Sequence, residues 1–187
     1  MGRLHDDRGF SLFELLIVVA IIGFLCAIAA PVYAGQRTKA EDVLLTANAR
    51  SLTTAAQSCW MDVQNAAPTS LPGSIVVARG WLTQRLRSPS ETGAGLRFVN
   101  PCTGSDGVVD ANKLPAGRSS PAVWITSDPG LAYETFAATD ATVVRLRGTI
   151  IVNYVIDSQQ RSGQIEVFSV DRKGNKSAAV QTVPMGS

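Results

Sequence analysis

The chain has 187 residues and a formal net charge of +2, enough length for one domain of ordinary size and too little charge to imply a nucleic-acid partner. Its lysines and arginines are scattered, with no basic block and no aromatic-basic interleaving. The single histidine, His5, precedes the first apolar run, so the remainder of the chain has no residue for a Ser-His-Asp triad, a Cys-His pair or a histidine metal site.

The first element is the stretch "RGFSLFELLIVVAIIGFLCAIAAPVYAG", Arg8 to Gly35. No charged side chain occurs from Leu15 to Gly35, and 21 residues in a helix reach about 31 Å, the thickness of a bilayer's hydrocarbon core. A secretory signal has an apolar region of only about 7–15 residues. The small residues of "VYAG" nevertheless permit a cut after Ala34, which would release an exported soluble binding domain. Glu14, at the front of the run, argues against a discarded signal. An acid at the centre of a membrane helix costs about 2.5–3.5 kcal/mol, less near an end, and a disposable segment has no use for it.

The sequence continues without glycine or proline from Gln36 to Ala67, and Pro68 supplies a stop. Ala40, Val43, Leu44, Ala47, Ser51, Ala55 and Cys59 recur at steps of three and four, which predicts an amphipathic helix over 36–67 with that stripe buried. The run and this segment together predict one helix of more than 50 residues.

Beyond Pro68 the texture changes. "PTSLPGS" reads as a turn-rich link, followed by β-rich runs "SIVVARGWLTQRL", "GLRFV", "AVWIT" and "LAYETFA", then the longer pair "ATVVRLRGTIIVNYVID" and "QIEVFSVD". "SQQRSG" joins that pair as a hairpin loop, and "DRKGNK" turns the chain before "SAAVQTV". The expected fold class is α+β: a long N-terminal helix packed on an antiparallel sheet of four or more strands spanning about 74–183. Trp60, Trp81 and Trp124 are expected in its core.

Cys26 lies in the apolar run and reads as a small buried hydrophobe. Cys59 and Cys102 can pair if the polar part is extracytoplasmic, or stay free thiols; a disulfide over their 43-residue separation would contribute on the order of 4 kcal/mol. The loop "NPCTGSDGVVDANKLPAGRSSP" holds Asp106, Asp110 and Asn112, oxygen ligands that calcium can use, but the spacing fits no EF-hand and turn chemistry explains them more simply. No metal site and no cofactor is therefore expected. No nucleotide-binding glycine motif, Walker sequence or H-E-x-x-H occurs, and no pair of acids forms a recognisable catalytic constellation.

"RGFSLFELLIVVAIIGFLCAIAAPVY" resembles the N-terminus of type IV pilins and of the pseudopilins of type II secretion. The resemblance implies a nine-residue leader ending at Gly9, a prepilin peptidase that cuts there, and Phe10 as a methylated new N-terminus. Glu14 then takes the fifth mature place, where the family has a glutamate that pairs with a neighbouring subunit's terminal amine. Gly23 and Pro31 match helix-breaking positions of the family's apolar half. Asp6 and Asp7 depart from the net-basic leaders usual in the family.

On this resemblance the chain comprises a leader (1–9), a membrane and polymerisation helix (10–35) and a globular head (36–187). It is implied to be a single-pass inner-membrane protein with the head outside the cytoplasm, and after assembly part of a surface filament. The implied partners are membrane lipid, the peptidase, an assembly platform and other pilins. No tryptophan-glycine-proline-tyrosine run of the major-pseudopilin type occurs, which favours a pilus over a secretion pseudopilus. The alternatives are that pseudopilus, the exported binding domain, and a membrane-tethered enzyme using carboxylates alone.

Overall fold

The structure is a computed structural model that describes residues 10–66, 71–87, 96–112, 120–127, 146–156, 162–175, 177 and 181–185. The chain divides between Ala40 and Glu41 into two compact units. The first consists, in its described part, of the N-terminal portion of helix α1 (Leu12–Ala66), where every side chain from Phe10 to Arg37 is exposed. α1 passes Pro31 as one uninterrupted helix. By length and composition it can cross a membrane.

In the second unit, α1 from Glu41 onward and α2 (Leu71–Arg87) form a core with five strands: β1 (Val108–Asp110), β2 (Val123–Thr126), β3 (Ile150–Ile156), β4 (Gly163–Ser169) and β5 (Gln181–Met185). The strand order is β1-β2-β3-β4-β5. The fold is α+β as expected, but the sheet is mixed: β3-β4 and β4-β5 are antiparallel, whereas β1-β2 and β2-β3 are parallel. Registry is anchored at Val123↔Ile150 and Val152↔Val167. Strand alternation sends Val123, Ile125, Ile150, Val152, Tyr154, Ile165 and Val167 to the helix side. Trp124, Ile151, Phe168 and Val170 belong to a second buried cluster on the other face. Both faces of the sheet thus carry buried apolar side chains, unlike a sheet with one wet face.

Three sequence expectations are corrected here. The buried stripe of α1 is Leu45, Ala49, Leu52, Ala56, Cys59, Trp60 and Val63, rotated from the predicted one. Of the predicted stripe only Ala55 and Cys59 are buried, while Ala40, Val43, Leu44, Ala47 and Ser51 are exposed. So many small residues line this segment that spacing alone does not single out the buried face.

Second, "SIVVARGWLTQRL" is helical, not a strand. Ile75, Ala78, Leu82 and Leu86 are its buried residues at steps of three and four, and that period overrides the β-preference of Ile75, Val76 and Val77. Pro72, expected to mark a link, sits in the first turn of α2, where its missing N–H is harmless. Third, residues 96–100 form no strand, and "LAYETFA" lies outside the described residues.

Trp60 and Trp124 are core residues as expected, the indole of Trp124 donating to the Ala111 carbonyl at 2.8 Å. Trp81 is 40% exposed on the outer side of α2, with Val76 (69%) and Val77 (40%). Gly80 lies between them in sequence, and a Cβ built there would meet no atom within 4 Å. Inside a helix this glycine costs about 1 kcal/mol relative to alanine.

The turn after residue 99 is organised by Asn100, which is 1% exposed. Its amide donates to the carbonyls of Pro121 and Arg147, at 3.1 and 2.8 Å, and its oxygen accepts from the Cys102 and Thr103 N–H groups. Gly148, with φ +73°, packs its backbone directly on that amide.

The rotated stripe predicts a contrast between neighbours on α1. Leu52→Ala, fully buried, should destabilise the head by about 2–5 kcal/mol. Leu44→Ala, 46% exposed, should cost less than about 1 kcal/mol in the same denaturant titration, and the reverse order would restore the predicted stripe. Gly148→Ala should cost about 1–3 kcal/mol, because the left-handed backbone and the committed Asn100 amide leave no room for a Cβ; an unchanged melting midpoint would contradict this.

Candidate functional site: the N-terminal end of helix α1

The apolar run begins at a built helix start. Ser11 precedes the first helical residue, and its hydroxyl accepts from the Phe13 N–H at 3.3 Å. Glu14 reaches back, and its Oε2 accepts from the Ser11 N–H at 3.0 Å. The Ser11 carbonyl takes the Leu15 N–H at 3.2 Å, closing the first turn. This reciprocal arrangement is a capping box, Ser-x-x-Glu, which satisfies two backbone donors that helix geometry leaves open. The carboxylate also lies where the helix dipole favours a negative charge. Ser11 was not among the residues expected from the sequence; the S-x-x-E spacing before an apolar run is the signal that marks it.

Around this start the surface is apolar on all sides: Phe10, Leu12 and Phe13 are 83%, 82% and 68% exposed. Gly23 has no atom within 4 Å of a built Cβ. Glu14, Gly23 and Pro31 therefore share one helix whose flanks are uncovered in the single chain. Gly9 lies outside the described residues. Such a surface suits lipid or other apolar helices.

The remaining expected residues lie in the second unit and do not join this site. Asp106 and Asp110 are each held by an arginine. Asp106 pairs with Arg97 at 3.1 Å on the open surface. Asp110 accepts from Arg79 Nε at 3.1 Å and from the Thr83 hydroxyl at 3.0 Å, while Arg79 Nη1 donates to Asn112 and Ser127. Among the described residues, no three His, Cys, Asp or Glu side chains gather as metal ligands.

The expected Cys59–Cys102 disulfide is absent from the structure; both cysteines are free, as is Cys26. Cys59 is buried on α1, where burial pushes its thiol up and a hydrogen bond with Arg85 offsets part of that. Burial also pushes the Cys102 thiol up, and the charges acting on it are Glu41, Arg172, Asp42 and Arg147. Cys26, expected to be buried, is exposed in the isolated chain.

Comparison with known proteins bears on the N-terminal site first. The family description "Prokaryotic N-terminal methylation motif" matches residues 4–30. A Fimbrial protein of Pseudomonas aeruginosa is 30% identical over 107 residues, 57% of this chain and 67% of the relative. A Type IV major fimbrial protein FimA of Dichelobacter nodosus is 32% identical over 102 residues, 54% of this chain and 60% of that protein. Fimbrial protein EcpB of Eikenella corrodens is 50% identical over 38 residues, 20% of this chain and 24% of its own length. No solved structure matches.

Thiol labelling tests the cysteine assignment. Denatured without reductant, the chain should present three free thiols; labelling of Cys26 alone would show that Cys59 and Cys102 are bonded. In the native fold near neutral pH, Cys59 should resist alkylation, because a buried thiol with a raised pKa holds little thiolate.

Proposed function

We propose an assembly role for this chain, which belongs to the type IV pilin family, as a subunit that polymerises through the apolar half of α1. It is a structural fimbrial subunit and not an enzyme. On this reading the precursor rests in the cytoplasmic membrane with its head outside. Prepilin peptidase removes residues 1–9 by cutting after Gly9, and the new amine of Phe10 is methylated. The assembly platform then draws the subunit from lipid into a surface filament with other pilins. The fimbrial relatives favour a pilus over a secretion pseudopilus.

The observation that carries this reading is a carboxylate held at the head of a helix whose apolar flanks are bare. Its Oε2 is engaged by the Ser11 N–H, and Oε1 is the oxygen for a neighbouring subunit's Phe10 amine. In a low-dielectric filament core an unpaired charge is costly, so this pairing sets how far an incoming subunit rises. Apolar packing supplies the attraction, with Ala20, Gly23, Ala27 and Ala30 allowing close helix approach, and Gly23 and Pro31 giving places where the helix can loosen.

Glu14→Ala tests the pairing. The variant should be cleaved and held in the membrane like the parent, yet its recovery in sheared filaments should fall about tenfold or more. Glu14→Gln should fall as well, since it keeps the shape and loses the charge. Normal incorporation of both variants would remove Glu14 from the assembly step.

A further inference from the structure

The contacts that close the start of α1 all pass through one residue. Ser11 directly precedes Leu12, and its carbonyl accepts the Leu15 N–H at 3.2 Å, so it is the cap of the helix. Its hydroxyl accepts from the Phe13 N–H at 3.3 Å, and its own N–H donates to Glu14 Oε2 at 3.0 Å. Among the described residues no other group holds the Glu14 carboxylate. The hydroxyl and the carbonyl together fix the Ser11 peptide, and with it the direction of the N–H that Glu14 meets.

We infer that Ser11 is the positioning residue for Glu14 in assembly. Its side chain keeps the helix start closed, so that one carboxylate oxygen stays on the Ser11 N–H and the other stays open to a neighbouring subunit's Phe10 amine. The inference rests on the filament reading above and assigns a further residue to it. An unheld glutamate must order several side-chain torsions at the moment of pairing, and a contact already made removes much of that loss. The medium sharpens the effect. In lipid or in a filament core no water replaces a lost cap, so an open N–H in the first turn is costly. Cleavage after Gly9 leaves Phe10 alone ahead of Ser11, so the mature helix has no longer stretch of preceding chain to supply another cap. Capping, unlike a contact specific to a hydroxyl, can be supplied equally well by asparagine.

Replacements at this position in the full-length chain test the assignment. Ser11→Ala removes the cap and keeps the N–H, and recovery in sheared filaments should fall about three- to tenfold. Cleavage after Gly9 and the amount of subunit in the membrane should match the parent. Ser11→Asn, a cap without a hydroxyl, should restore recovery to within about twofold of the parent. A cap with no tie to Glu14 would add its loss to that of Glu14→Gln. Acting through Glu14, Ser11→Ala should instead lower the recovery of the Glu14→Gln chain by less than about twofold. Normal recovery of Ser11→Ala, a Ser11→Asn chain as poor as Ser11→Ala, additive losses in the double variant, or loss of cleavage in either single variant would overturn the assignment and leave the filament reading intact. Failure of the Glu14 pairing would show as normal recovery of Glu14→Gln, and failure of the filament reading as an unmodified chain that forms no filaments.

Discussion

A helix that is apolar on every side must be covered, either by lipid or by other apolar surface. In this chain that constraint applies to α1 from Leu12 to Gly35, where no side chain is shielded by the chain itself. Glu14 is the exception that gives the segment a direction. Its cost in an apolar medium is lowered locally by the Ser11 N–H and by the helix dipole. The same helix supplies a face of the head's core from Leu45 to Val63, so one element serves two environments.

Among the described residues of the head, no three His, Cys, Asp or Glu side chains gather as metal ligands. Among the described residues, Arg79 holds Asp110 and Arg97 holds Asp106. Its buried cysteine is restrained by a raised pKa, and burial likewise pushes the Tyr154 phenol up. What the head does offer is surface: Trp81 and Val76 on one helix, and Val43 and Leu44 on another. Fimbrial relatives and an unshielded helix agree on a protein whose work is to be packed against others.

Much of this was legible in the sequence where the signal is compositional. An unbroken apolar run, an acid at its front and a glycine-free continuation show the long helix without any tertiary information. The alternation in Ile150 to Ile156 likewise announced β3. Legibility failed where small or β-branched residues blur the period. Ala47, Ala49 and Ser51 let the buried stripe of α1 be read one face away, and Ile75-Val76-Val77 disguised a helix as a strand. Parallel pairing of β1, β2 and β3 depends on partners far apart in the chain, which no local pattern records. At the N-terminus the acid was recognised but its partner was not. The Ser11 cap is short-range and follows a known spacing, so it is legible in the sequence as a contact of Glu14 within its own helix.

The central claim is that the apolar half of α1 is kept and used, with its N-terminus made by cleavage after Gly9. The most direct test is the intact mass and N-terminal sequence of the mature protein from a sheared-surface fraction. A chain that starts at methylated Phe10 is the predicted result. A soluble chain starting at Gly35 would contradict the account, because the segment carrying Ser11, Glu14, Gly23 and Pro31 would then have been discarded before the protein did its work.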